Sequence, residues 1–138
     1  MANVAKNLES AARSRPLAAF DPALTDTVAL KAFFNLAREW DLSRDEQITL
    51  LGKPSARTYY RWRNGNVSGL PHDTLERISV LLGIYKATHI LLPVAERANA
   101  WVKRPNKAFG GEAALAVMLK GRVDHLYRVR RYLDAWRG

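Results

Sequence analysis

The stretch "GKPSARTYYRWRNGN", residues 52–66, carries three arginines and a lysine, no acid, and two tyrosines and a tryptophan set among the charges. Two readings compete for it: a helix that enters the major groove of DNA, or a solvated helix with an aromatic underside. Spacing separates them. In a helix that begins after Ser55, Tyr59 and Trp62 fall three apart and belong on a packed face, with Ala56 beside them. Arg57, Thr58, Arg61 and Asn64 then project together on the other side. Arginine pairs bidentately with the O6 and N7 atoms of guanine, asparagine reads adenine, and the threonine methyl meets that of thymine. Lys53, Ser55 and Arg63, with the free N–H groups at the helix start, suit backbone phosphates.

The residues in front complete the motif. Ser43 followed three positions later by Glu46 is a capping box, in which each side chain satisfies the other residue's backbone N–H. The helix it opens is expected to carry Ile48 and Leu51 inward and to stop at Gly52. Pro54 blocks continuation, and Ser55 caps the next helix. Two short helices across a tight glycine turn, the second with one packed and one free face, make a helix-turn-helix.

Outward from this motif the pattern stays helical. Leu30, Phe33, Ala37 and Trp40 recur at helical spacing, and residues 1–24, interrupted by Pro16 and Pro22, read as a loosely ordered arm. Pro71 and Asp73 open a helix through Leu75, Ile78, Leu81 and Leu82 that Gly83 bends or ends, and "IYKATHILLP" reads as one more buried helical stretch. Residues 95–102 form another helix, "NKAFGG" a turn, and "EAALAVMLKG" a short helix stopped by Gly121. Val123, Leu126, Val129, Leu133 and Trp136 form the apolar stripe of a final helix, with Arg128 and Arg131 off it. No alternating strand pattern occurs, so the fold class is all-α. The expected organisation is an arm (1–24), a helix-turn-helix unit (25–92) and a second small helical unit (93–138).

Apolar residues at 48% and charged residues at 25% place the chain among folded globular proteins. Lys and Arg outnumber Asp and Glu by 22 to 13, a net charge of +9 that favours polyanions or an acidic partner. The cations gather in acid-free runs at 53–63 and 97–107 and in a mixed run at 120–137. With no cysteine, disulfides and thiolate metal sites are excluded. His72, His89 and His125 have no metal-ligand spacing, and first-turn positions account for Asp45, Glu46, Asp73 and Glu76. No nucleophile has an evident base, so neither catalysis nor a cofactor is expected. No run approaches the ~18 apolar residues of a membrane span, so a cytoplasmic location is expected.

Here a resemblance enters. "DEQITLLGKPSARTYYRWRNGN" resembles the helix-turn-helix of Cro/C1-type, or Xre-like, regulators. "WVKRPNKAFGGEAALAVMLKGRVDHLYRVRRYLDAWRG" is similar to the toxin-binding domain of the Xre/MbcA/ParS antitoxin family at Trp101, Pro105, Asn106, Phe109, Gly110, Gly111, Leu115, Gly121, Val129, Leu133 and Gly138. Ala114 departs from the pattern, which usually has proline there. The resemblance implies a type II antitoxin that binds a RES-domain toxin, an NAD-consuming enzyme, and blocks its active site. It further implies a homodimer, within a larger toxin-antitoxin complex, that represses its own operon by binding operator DNA.

On the final helix, Tyr127, Tyr132 and Trp136 read as exposed edge aromatics beside Arg128, Arg131 and Arg137, and Trp, Tyr and Arg are the usual anchors of interfaces. These residues and Gly138 are the expected toxin contacts. Residues 136–138 are expected to plug a pocket meant for an anionic dinucleotide, the terminal carboxylate imitating a phosphate. The alternative is that Trp136 closes the core. Phe109, Gly110 and Gly111 read as a structural turn. Two other functions stay open: a stand-alone repressor without a toxin, and a basic nucleic-acid adaptor that does not read sequence.

Overall fold

The computed structural model describes residues 25–138. The arm expected over residues 1–24 lies outside them. The described residues form α1 (Asp26–Glu39), α2 (Arg44–Leu50), α3 (Ala56–Arg63), α4 (His72–Leu91), α5 (Ala95–Trp101), a 3-10 turn (Lys107–Phe109), α6 (Ala114–Met118) and α7 (Val123–Arg137). Among them there is no strand, only an isolated bridge between Pro105 and Ala113. The architecture is all-α, as the missing alternation requires.

The first three helices are cut out by local chemistry. The side chains of Thr25, Ser43 and Ser55 accept from the backbone N–H three residues on, at 3.2, 3.1 and 3.1 Å, and Glu46 returns the bond to the Ser43 amide at 2.8 Å. Each helix closes with the same paired backbone bonds. After α2, Gly52 N–H donates to Thr49 and Lys53 N–H to Ile48; after α3, Gly65 donates to Trp62 and Asn66 to Arg61. At the end of α1 the left-handed position is held by Asp41 (φ 51°), whose amide donates to Arg38 while that of Leu42 donates to Ala37. Asp41 gave no glycine to read, so this turn carries no sequence signal of its kind.

Gly52 is required twice over. Its φ is +95°, and a Cβ there would lie 2.9 Å from Asp73 Oδ2 and 3.2 Å from Arg77 Nε. Lys53 follows it, also left-handed, at φ 63°. Inside the motif Leu50 and Leu51 are fully buried while Ile48 is only half-buried, and Ala56, expected on the packed face, is exposed. The first turn of α3 therefore stands clear of the core.

One apolar cluster runs from Ala29 through Tyr59, Trp62, Ile78 and Leu81 to Val129 and Leu133. Helix α4 is its axis, packing against α1, α5 and α7. It does not stop at Gly83, one of the outcomes the sequence reading allowed, but continues for 20 residues from His72 to Leu91. Gly83 serves packing instead: a Cβ there would fall 1.8 Å from Arg130 Nη1, so the missing side chain makes room for that guanidinium across the helix. The α6–α7 turn is tied back to the motif by Arg77. Its Nε donates to Asp73 at 2.8 Å and its Nη1 to the Gly121 carbonyl at 2.9 Å.

Candidate functional site

Two surfaces emerge. On α3, Tyr59 is fully buried and Trp62 is 5% exposed, while Arg57, Arg61, Arg63 and Asn64 are exposed. Buried rings cost nothing to the face opposite them; they fix the helix and leave its cations in water. The Tyr59 hydroxyl donates to Gln47 Oε1 at 2.8 Å, and Gln47 Nε2 donates to the Leu42 carbonyl at 3.1 Å, so a buried polar chain sets α3 against α2. Arg57 and Arg61 form no ion pair among the described residues. Arg63 is less free: its Nη1 donates to the Tyr59 hydroxyl at 3.1 Å.

The helix start is also partly committed. Ser55 accepts the Thr58 amide and donates to the Thr58 hydroxyl at 3.0 Å, and Thr58 is half-buried. Lys53 is exposed, and its chain lies over the Gly121 backbone. Two residues that sequence reasoning passed over join this face. Arg44, the first residue of α2, donates to the hydroxyl of Tyr60 on α3 at 3.4 Å, and Tyr60 is 44% exposed. That hydroxyl, with Asp45 behind it, raises the Arg44 pKa. The pair exists only because α2 and α3 cross, which no local spacing reveals.

The second surface is aromatic. Trp101 stacks nearly parallel to Tyr132 (6.1 Å, 12°), Phe109 meets Tyr132 edge-on at 5.1 Å, and Trp136 lies 6.3 Å from both Trp101 and Tyr132. Arg128 sits over the Phe109 ring at 5.5 Å. Trp136 is 45% exposed, so it does not close the core as the stripe suggested. Arg128, Arg131 and Arg137 are exposed and Tyr132 is half-buried.

Tyr127, like the half-buried Tyr132, is a correction to the expected set of exposed aromatics. It points toward α4 and is half-buried, donating to Glu76 Oε2 at 2.7 Å. Burial, then the Glu76 bond, pushes its hydroxyl up to about 12. Trp101 and Phe109 were missed as surface builders because they reach α7 only through tertiary packing.

His89 stacks on Tyr85 with its Nδ1 2.9 Å from the Tyr85 carbonyl, and His125 Nδ1 accepts the Arg122 amide at the start of α7. Among the described residues no group of His, Asp and Glu is placed to hold a metal ion, and no helix is long and apolar enough to cross a membrane.

Known proteins settle the family. Residues 19–83 match the antitoxin Xre-like helix-turn-helix domain, and residues 87–138 match the antitoxin Xre/MbcA/ParS C-terminal toxin-binding domain. This chain belongs to the Xre-family antitoxins. Uncharacterized protein y4oB of Sinorhizobium fredii is 51% identical over 109 residues, which are 79% of this antitoxin and 84% of that relative. The family match makes the α3 surface that of a DNA-binding motif and places the aromatic corner within a toxin-binding domain.

Proposed function

We propose that this antitoxin neutralises a RES-domain, NAD-consuming toxin by covering its active site, and represses its own operon as a homodimer in the cytoplasm. The observation that carries this reading is the division of labour within one chain. A free arginine face backed by buried rings lies in the helix-turn-helix match, and an exposed tryptophan among arginines lies in the toxin-binding match.

In this reading Arg57 and Arg61 address base edges, Asn64 and the Thr58 methyl add contacts at either end of the helix, and Lys53, Ser55 and Arg63 hold phosphates. Two copies would set two recognition helices about 34 Å apart on a two-fold operator. On α7, Arg128, Arg131, Tyr132, Trp136, Arg137 and Gly138 face the toxin, while Tyr127 supports them from the α4 side.

Co-expression with a RES-domain toxin, sought in the reading frame beside its gene, tests the first half. The expected outcome is co-elution on size exclusion and restored growth; toxicity undiminished by this chain would sink it. For the second half, a gel shift compares the chain's own promoter with random DNA at near-physiological salt. Equal affinity for the two would remove base readout by Arg57 and Arg61.

A further inference from the structure

The aromatic corner is ringed by cations that the fold leaves unused. Arg97 lies one turn before Trp101 on α5, and Arg104 one turn after it, its amide donating to the Trp101 carbonyl at 3.1 Å. Arg128 covers Phe109, and Arg131 follows in the next turn of α7. All four are exposed, and none forms an ion pair among the described residues. Four other arginines are already committed: Arg44, Arg77, Arg122 and Arg130 each take a nearby carboxylate, at 3.3, 2.8, 3.2 and 3.3 Å, while Arg57 and Arg61 on α3 share the freedom of the corner's four. Asp134, the acid closest to the corner on α7, is the one held by Arg130. Residues 97–111 contain no acid at all.

We propose that this corner docks an acidic surface of the toxin, with Trp136 seated in an apolar recess and Arg97, Arg104, Arg128 and Arg131 paired with carboxylates around it. The inference rests on the toxin-binding reading and adds to it the α5 segment and the chemistry of the partner. Charge complementarity argues for acid: four guanidiniums left without carboxylates, around one open ring, repel every basic surface and gain from an anionic one. A single nucleic-acid strand is the weaker occupant. It needs successive ring faces, and of the four rings here only Trp136 is exposed, the others covering one another. The arrangement is that of an interface centre, one aromatic anchor inside a rim of arginines.

The test uses the 138-residue chain and a RES-domain toxin, sought beside its gene, with affinity measured at about 0.1 and about 0.5 M NaCl, where the screening length shortens about twofold. The wild-type complex is expected to weaken about tenfold or more between the two salts, and Arg104→Glu with Arg128→Glu to weaken it about 100-fold at the lower one. Arg104→Lys with Arg128→Lys retains the charge and stays within about tenfold of wild type. Melting temperatures stay unchanged, since both positions are exposed. A complex indifferent to salt and to charge reversal overturns the acidic partner alone and leaves the toxin reading standing. No complex under any condition overturns the toxin reading itself. Displacement of the partner by random single-stranded DNA, lost in the double reversal, assigns the corner to nucleic acid and overturns the proposal.

Discussion

Helices α3 and α7 are built from the same residue types to opposite effect. On α3 the rings of Tyr59 and Trp62 turn inward, Tyr60 stays out to meet Arg44, and Arg57 and Arg61 stand in water with no ion pair among the described residues. On α7 Arg128, Arg131 and Arg137 also face water, but Trp136 stays out with them. The difference suits the partner proposed for each surface. A duplex offers phosphates and base edges, for which guanidiniums suffice, and the one exposed α3 ring, Tyr60, brings a hydroxyl with it. A protein partner offers area to bury, and an exposed tryptophan is the residue type that most often pays for it.

The largest expected effect separates the two rings. Tyr59→Ala or Trp62→Ala removes a core side chain and should cost about 3–5 kcal/mol of unfolding free energy in urea titrations. Trp136→Ala should shift stability by under about 1 kcal/mol, yet reduce toxin affinity by about 2 kcal/mol or more. Equal destabilisation by all three would break the contrast.

A second substitution sharpens it from the DNA side. Arg57→Ala should leave the melting temperature unchanged but weaken operator binding by about 1–3 kcal/mol, with random DNA affected less. Competition gel shifts at fixed salt read this directly.

Smaller in scale is the tie behind α7. Because the Tyr127 hydroxyl titrates higher in the folded chain than in the unfolded one, its contribution is fully present below the ordinary tyrosine value. It is lost as pH rises through about 12. Tyr85, shifted upward by burial and then by its bond to Glu39, adds to the same decline. Stability measured from neutral pH upward should therefore fall only in strong alkali. In Tyr127→Phe that fall becomes shallower, and neutral-pH stability drops by about 1 kcal/mol for the lost bond to Glu76. The smallest change is a gain. Asp41→Gly relieves a left-handed position and should stabilise α1 by about 1 kcal/mol or less, seen as a small rise in melting temperature.

How much of this was legible follows the same contrast. The helix-turn-helix announces itself because its signals are local: Ser43 with Glu46, Ser55, Gly52 and the three-residue spacing of Tyr59 and Trp62 all act within a turn or two of chain. Its resemblance to Xre-like regulators, and that of the C-terminal third to the toxin-binding domain, match the family found. Where contacts span the chain, the reading fell short. Nothing near Tyr127 reveals Glu76, 51 residues earlier, and nothing near Trp101 reveals Tyr132. Gly83 read as a breaker because the guanidinium that fills its place comes from Arg130. Arg44 and Tyr60, 16 residues apart, meet only through the crossing of two helices.

The two family matches end and begin at residues 83 and 87, both inside the unbroken span of α4. Gene rearrangement at that seam would saw through a rod whose two ends support different machines. New pairings of operator and toxin are therefore easier to reach by repainting the surfaces than by swapping halves. A single proteolytic cut in that rod would part the DNA-binding motif from the toxin-binding domain in one stroke.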